Sequence, residues 1–323
     1  GIITTKDLDK YEAVERKPLT GTYKDYIIYS MPPPSSGGAT LIQMMNMMEL
    51  ANFDTKPFNS TSYVHFLAES MKRAYANRAY YLGDPDFNPS MPLTELLSKE
   101  HAQKQFQSID FAKATKSDST KFGQLIEGGN NTTHLSVMDK EGNAVSLTYT
   151  LEYSFGSRLY DEKLGFIFNN EMGDFNPVPG ATTGGGQIGT KPNLIEPEKR
   201  MLSSMTPTIV AKDGKPYLVV GSPGGRTIIN MVFQTVLNVL EFEMTINEAI
   251  EAMKIHHQWL PDEIIYEKNK LSPDTKRALE AMGHTMRAYD QLGALMGIIY
   301  DAEKELFIGH SDSSRPDGGA LGY

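Results

Sequence analysis

The chain has 323 residues, with 31 Lys and Arg against 40 Asp and Glu, a formal net charge of −9 at pH 7. That balance excludes a general nucleic-acid binder and a polybasic membrane-surface protein, both of which need a basic face. Cysteine is absent, which removes disulfides, thiol catalysis and Cys-ligated zinc together.

Hydrophobic residues make up 40%, enough for a packed core, and no run of about 18 apolar residues is present to span a bilayer. The length predicts about two domains or one large layered one. The chain opens at Gly1 without a basic-then-apolar leader, so a processed chain or a fragment is expected.

In chain order, Tyr23–Met31 reads as one strand, stopped by Pro32-Pro33-Pro34-Ser35-Ser36-Gly37-Gly38. Ala39–Ala51 reads as a buried helix in which the methionines fill core. Residues 61–80 have helical periodicity, and Leu93–Ser108 is a weaker helix. Thr115–Lys121 reads as a polar loop or linker. His134–Asp139 and Asn143–Thr150 flank a hairpin turn, and Leu164–Phe168 reads as a buried strand.

Farther on, Pro207–Ala211 and Tyr217–Gly221 flank Lys212-Asp213-Gly214-Lys215 as a second hairpin. Arg226–Glu241, Glu248–His256 and Asp274–Gly283 read as helices, the last capped by Gly283. Met296–Tyr300 and Glu305–His310 make a final hairpin. Helices around hairpin-built antiparallel segments predict an α+β layered fold.

Four stretches can carry chemistry. Thr132 and Thr133 open a strand after Gly128-Gly129-Asn130-Asn131. A threonine freed at a new N-terminus supplies both a hydroxyl nucleophile and an α-amine base; the same residues also read as an ordinary strand start, or as an N-glycan acceptor. Gly221-Ser222-Pro223-Gly224-Gly225-Arg226-Thr227 lies between a strand and a helix. It lacks the Gly-Lys-Ser/Thr of a phosphate loop, which leaves an oxyanion hole or a tight turn. Glu171 and Asp174, three apart, suit an ammonium ligand or a solvated turn. Ser203 and Ser204 suit a carboxylate or a turn. His256-His257-Gln258-Trp259 reads as core and surface packing without a metal, because no carboxylate at ligand spacing accompanies it.

The ordered set Pro32–Gly38, Thr132-Thr133-His134, Asp139–Val145, Thr148–Leu151, Asn169–Met172, Lys199–Pro207, Gly221–Gly225, His256–Pro261 and Ala320–Tyr323 resembles the γ-glutamyltranspeptidase family along the whole chain. The resemblance implies a four-layer αββα sandwich of the N-terminal-nucleophile hydrolase type. It implies self-cleavage between Asn131 and Thr132. Residues 1–131 would then be the C-terminal portion of a large subunit and 132–323 a small catalytic subunit, both contributing to one domain.

Residue by residue, the resemblance makes Thr132 the nucleophile and Thr150 its hydroxyl partner. Gly224 and Gly225 become the oxyanion hole, and Ser203 and Ser204 donors to the glutamyl α-carboxylate. Glu171 and Asp174 become acceptors for the α-ammonium, with Glu152 where many members have Asn. The expected partners are a glutathione-like γ-glutamyl substrate, an amino-acid or peptide acceptor, and the upstream part of the large subunit, which would carry a further carboxylate-binding arginine. No cofactor is implied, and placement is periplasmic or extracellular. Asn176–Glu198 resembles a lid over the glutamyl pocket, with Gly184-Gly185-Gly186 where some members have an aromatic residue. A cephalosporin or glutaryl acylase, a poly-γ-glutamate depolymerase or transpeptidase, and an unprocessed inactive homologue are the competing readings.

Overall fold

The computed structural model describes residues 3–117, 132–176, 178–181, 188–315 and 317–322. The order begins α1 (Thr5–Lys10), β1 (Leu19–Tyr23), β2 (Tyr26–Ser30), α2 (Gly37–Met48), α3 (Thr61–Tyr81), α4 (Leu93–Leu96) and α5 (Lys99–Gln107). It continues β3 (Thr132–Met138), β4 (Ala144–Thr150), β5 (Tyr160–Asp161), β6 (Phe166–Ile167), β7 (Thr208–Lys212), β8 (Lys215–Gly221), α6 (Thr227–Phe242) and α7 (Ile246–Glu251). It closes with β9 (Ile255–His256), β10 (Ile264–Glu267), α8 (Pro273–Ala281), β11 (Met286–Tyr289), β12 (Met296–Asp301) and β13 (Leu306–Ser311).

Six strands form one antiparallel sheet in the order β1-β2-β7-β8-β12-β13. Its central strands are rich in Val and Ile, which pack well on a pleated surface. The helices α2 and α6 cover one face. Every residue of α2 is buried, the methionines included, and α6 is buried from Ile228 to Leu240. These residues join one hydrophobic core with Tyr23, Ile28, Val210, Leu218 and Val220 of the sheet. Polar α6 side chains are satisfied inside it: Gln234 Nε2 donates to the carbonyls of Asn230 and Ile255 at 2.8 Å each, as buried amides must.

The β3–β4 hairpin lies on the opposite face, over β7, β8 and β12. It turns its polar side inward. Ser146 Oγ donates to Val220 O at 3.2 Å and accepts from Thr208 N at 3.0 Å. The outward side carries Leu135, Val137, Val145, Leu147 and Tyr149, all exposed. Helix layer, sheet and facing hairpin give the expected αββα order through its first three layers, in an α+β fold.

Four local expectations change. Tyr23–Met31 is not one strand: Lys24 adopts φ 52°, and the chain turns there, pairing Tyr23 with Tyr26. The Leu164–Phe168 strand shrinks to Phe166–Ile167, with Phe166 exposed and Ile167 only half-buried, because Gly165 at φ 73° makes the turn itself. The Glu248–His256 helix stops at Glu251. Lys254 folds back, and its Nζ donates to the carbonyls of Ala249, Ile250 and Ala252, capping α7; Ile255 and His256 then pair with β10. Finally, His256 and His257 are both fully buried, and His257 does have a carboxylate, Asp262, at 3.2 Å.

A buried ionic network ties α3 to the segment that ends at Ser117, the last described residue of the expected Thr115–Lys121 loop. Glu69, with no exposed surface, accepts from Arg73 Nη1 at 2.6 Å and Thr115 N at 3.1 Å, and lies 3.3 Å from Lys72 Nζ. Lys72 donates to the Thr115 carbonyl and pairs with Asp262 at 3.1 Å; Asp262 accepts from Ser117 N at 2.9 Å. Burial alone would raise the Glu69 pKa, yet Lys72, Thr115 and Arg73 hold it below its ordinary value. Breaking such a buried set from one side leaves charges stranded, so Glu69→Gln is expected to lower the unfolding free energy by about 3 kcal/mol. Urea titration followed by fluorescence of the single tryptophan, Trp259, reads the change, and a loss within experimental error would show the network to be energetically idle.

Candidate active site

The register of the hairpin places Thr132 directly opposite Thr150. Their hydroxyls meet, with Thr132 Oγ1 donating to Thr150 Oγ1 at 3.3 Å. Thr150 Oγ1 also accepts from Glu152 N at 2.9 Å, which turns the chain out of β4; Glu152 adopts φ 71° there. Side chains alternate along a strand, so Thr132 and His134 both face the sheet. His134 stacks where a Cβ on Gly221 would collide with its ring, and it bonds Thr148 Oγ1 at 2.8 Å and Ser136 Oγ at 3.0 Å. Burial pulls the His134 pKa down to about 4, so the ring is neutral at pH 7. Gly221 ends β8 and leads directly into the glycine-rich turn.

In that turn Gly224 and Gly225 adopt φ 135° and φ 56°. Their carbonyls start α6, accepting from Thr227 N and Ile228 N at 3.2 Å each. Among the described residues neither glycine N–H is engaged by a protein acceptor. Two free N–H groups at the start of a 16-residue helix suit a developing negative charge.

The carboxylates converge beside the threonine pair. Glu152 accepts from Asn170 Nδ2 at 2.7 Å, and its carboxylate lies so close to Gly173 that any side chain there would overlap it. Glu171 and Asp174 bracket that glycine in one short 3-10 turn. Burial first, then Asp174 and Glu171, pushes the Glu152 pKa up to about 7. Burial and Asp174 push Glu171 up to about 7 as well. Burial raises Asp174 too, opposed by Arg226 and Arg78. Both Glu171 carboxylate oxygens are shielded from water without a side-chain donor, and the Glu152 backbone N–H alone acts on them. Three acids crowded together have the acceptor chemistry that a cation with several N–H donors would satisfy.

The serine pair belongs to the same site through Asn193. This buried amide donates to Asp174 O at 2.8 Å and accepts from Leu202 N at 2.9 Å, fixing Ser203 and Ser204 relative to the acids. From the other side the Pro-Ser segment clamps them: Ser203 N donates to Pro34 O at 3.2 Å, and Ser36 N donates to Ser203 O at 2.9 Å. Arg78 Nη2 donates to Ser204 Oγ at 3.0 Å.

All the candidate residues that are described, namely Thr132, Thr150, Glu152, Glu171, Asp174, Ser203, Ser204, Gly224 and Gly225, therefore line one connected region. Asn131 lies outside the described residues, as do Gly184-Gly185-Gly186 of the expected lid. The described ends of that stretch close on each other, Gly180 N donating to Gly189 O at 2.8 Å. Sequence reasoning missed Arg78, Asn193, His134 and Arg226. The Arg226 guanidinium acts on Asp174 and Glu152, and its Nε is buried without a partner.

The sequence model of the gamma-glutamyltranspeptidase family matches residues 1–323. The chain is 45% identical over 326 residues to the glutathione hydrolase proenzyme of Escherichia coli (strain K12), covering 100% of this chain and 55% of that protein. A solved gamma-glutamyltranspeptidase mutant of Helicobacter pylori is 44% identical and superposes with a TM-score of 0.54 over 57% of this chain and 100% of its own. The cephalosporin acylase of Bacillus halodurans, only 22% identical, shares the fold over 97% of this chain and 54% of its own, with a TM-score of 0.80. The fold is that of the N-terminal-nucleophile hydrolases, and the chain belongs to the gamma-glutamyltranspeptidase family. It spans about half the length of the curated relatives it matches.

The raised carboxyl groups set a pH signature. Burial and the neighbouring acids push Glu152 and Glu171 up to about 7, above their ordinary values. Their contribution to stability is therefore full below their unfolded-state pKa and is lost as pH rises through about 7. Saturating L-glutamate, whose ammonium offsets the repulsion, is expected to restore thermal stability at pH 8 more than at pH 5. An equal shift at both values in thermal unfolding would remove the cation-receptor reading.

Proposed function

We propose that this chain carries the catalytic and glutamyl-binding machinery of a γ-glutamyl transferase and glutathione hydrolase. The observation that carries the reading is the Glu171 carboxylate, shielded from water and without a side-chain donor, next to Asp174 and to Glu152, whose backbone N–H bonds Thr150 of the Thr132–Thr150 hydroxyl pair. A γ-glutamyl group brings an ammonium and a carboxylate on one carbon. The acids take the first, and Ser203 and Ser204 the second.

The first step in this reading is self-cleavage between Asn131 and Thr132, which divides the chain into 1–131, the end of a large subunit, and 132–323, the small one. Thr132 Oγ then attacks the γ-carbonyl carbon, and its freed α-amine takes the hydroxyl proton. Thr150 holds the attacking oxygen in line. The carbonyl oxygen becomes an anion stabilised by the N–H groups of Gly224 and Gly225. The C–N bond breaks, the amine leaves with the proton, and a threonyl ester remains. Water or the amine of an amino acid or peptide attacks the ester by the reverse route, releasing glutamate or a new γ-glutamyl amide and returning the proton to Thr132.

The upstream part of the large subunit is the expected protein partner, and periplasmic or extracellular placement follows only from the resemblance. Among the described residues no helix is long and apolar enough to cross a membrane. The acylase reading is favoured by nothing in the site, because a glutaryl group has no ammonium for the three acids.

Intact-mass measurement under denaturing conditions is expected to find a fragment beginning at Thr132 in the wild type and only the uncut chain in Thr132→Ala, which should also lack turnover. Cleavage elsewhere, or activity without cleavage, would overturn the mechanism. Asp174→Ala is expected to raise KM for a γ-glutamyl anilide at least tenfold, as loss of a charge-assisted bond does, while leaving a glutaryl anilide nearly unchanged. Equal losses on the two substrates would remove Asp174 from ammonium recognition.

A further inference from the structure

The end of α3 carries a cation in an unusual setting. Arg78 is only 8% exposed, and among the described residues no carboxylate lies within ion-pair distance of it. Its Nε donates to Ser36 Oγ at 2.8 Å and its Nη2 to Ser204 Oγ at 3.0 Å. Ser36 Oγ in turn donates to Ser203 O at 2.7 Å. One rigid guanidinium fork thus grips the serine pair twice, at the Ser204 hydroxyl and, through Ser36, at the Ser203 backbone.

Two physical consequences follow. A hydroxyl has one proton and two lone pairs; Ser204, accepting from a cation, has its proton turned away from Arg78 and free for another acceptor. And a buried guanidinium without an anion is costly unless the working state supplies one. The groups that act on it are Arg226, which repels, and Tyr75 and then Asp174, which attract without an ion pair. Tyr75, one turn earlier on α3, is occupied elsewhere, its hydroxyl donating to Arg226 O at 2.5 Å.

We propose that Arg78 is a positioning residue for carboxylate recognition: it fixes Ser204 with its hydroxyl proton aimed at the substrate α-carboxylate and supplies the buried positive charge which that carboxylate neutralises. The proposal rests on the γ-glutamyl reading above, and gives the site an arginine of its own within residues 1–323. It assigns Arg78 no contact with the reacting atoms.

The test compares two anilides in the full-length protein. One is γ-glutamyl p-nitroanilide; the other is 4-aminobutyryl p-nitroanilide, which keeps the amine and lacks the carboxylate. Arg78→Gln is expected to raise KM for the first by about tenfold or more, to change kcat by less than about threefold, and to lower kcat/KM for the second by far less than for the first. Arg78→Lys, which keeps the charge but not the fork, is expected to fall between. Because Arg78 works through Ser204, the double variant Arg78→Gln/Ser204→Ala should lose little more than the worse single one.

Self-cleavage at the wild-type rate certifies that a variant has folded. If Arg78→Gln does not fold, Ser36→Ala, which removes one of the two grips, carries the same comparison and should weaken only the carboxylate-bearing substrate. Equal losses on both anilides, a fall confined to kcat, or additive effects in the double variant would overturn the role of Arg78. A wild-type enzyme that does not prefer the γ-glutamyl anilide would instead overturn the γ-glutamyl reading itself.

Discussion

Three partly buried carboxylates held close together, with the Arg226 guanidinium acting on Asp174 and Glu152, set the terms for the rest of the site. Glu152, Glu171 and Asp174 repel one another and are each penalised by burial, so a free chain would not hold them together. They stay because the surrounding backbone is over-determined: a strand end at Thr150, a short 3-10 turn, and the Asn193 amide that bonds both Asp174 O and Leu202 N. The strain is stored where a ligand can relieve it, a pattern common to binding sites.

Rigidity comes from the layers. The apolar contact of α2 and α6 with the six-stranded sheet is large and continuous, and it fixes β8. The hairpin is then seated largely by polar contacts on its inner side, Ser146 to Val220 and Thr208, Ser136 to Met296, His134 against Gly221, with Met138 buried at its far end. Directional bonds set register where packing of apolar surfaces would tolerate small slides. That division puts Thr132 at a defined place without enclosing it. The helix α3 serves both parts of this scheme: its middle turns hold the buried ions around Glu69, and its last turns present Tyr75 and Arg78 to the site.

Much of this was legible in the sequence where local chemistry decides. Lys212-Asp213-Gly214-Lys215 turns β7 into β8 because Asp213 and Gly214 both take positive φ, the conformation favoured in two-residue hairpins. Gly283 caps α8 at φ 97°, with His284 N reaching back to Leu279 O. The motif order was enough to place Thr132, Thr150 and the acids together. What stayed hidden depends on distant partners. Arg78 in a periodic helix reads as a solvated charge, and only contact with Ser204, 126 positions away, shows otherwise. Asp262 stands five residues from His257, and no regular spacing predicts that contact. Asn193 sits in a Pro-rich loop with nothing local to mark it.

The seat of His134 on Gly221 constrains how this chain can drift over generations. Residue 221 admits no Cβ without pushing the ring, and with it the strand that begins at Thr132, off the sheet. A Cβ at residue 173 would instead meet the Glu152 carboxylate, the movable end of a side chain, and would displace it from the site. Variation around the site is therefore channelled to positions whose side chains point away from it, such as Leu135, Val137 and Leu147, which are exposed. A mutational library built on this scaffold would lose diversity at the silent Gly221 before it lost any at most of the residues that surround it.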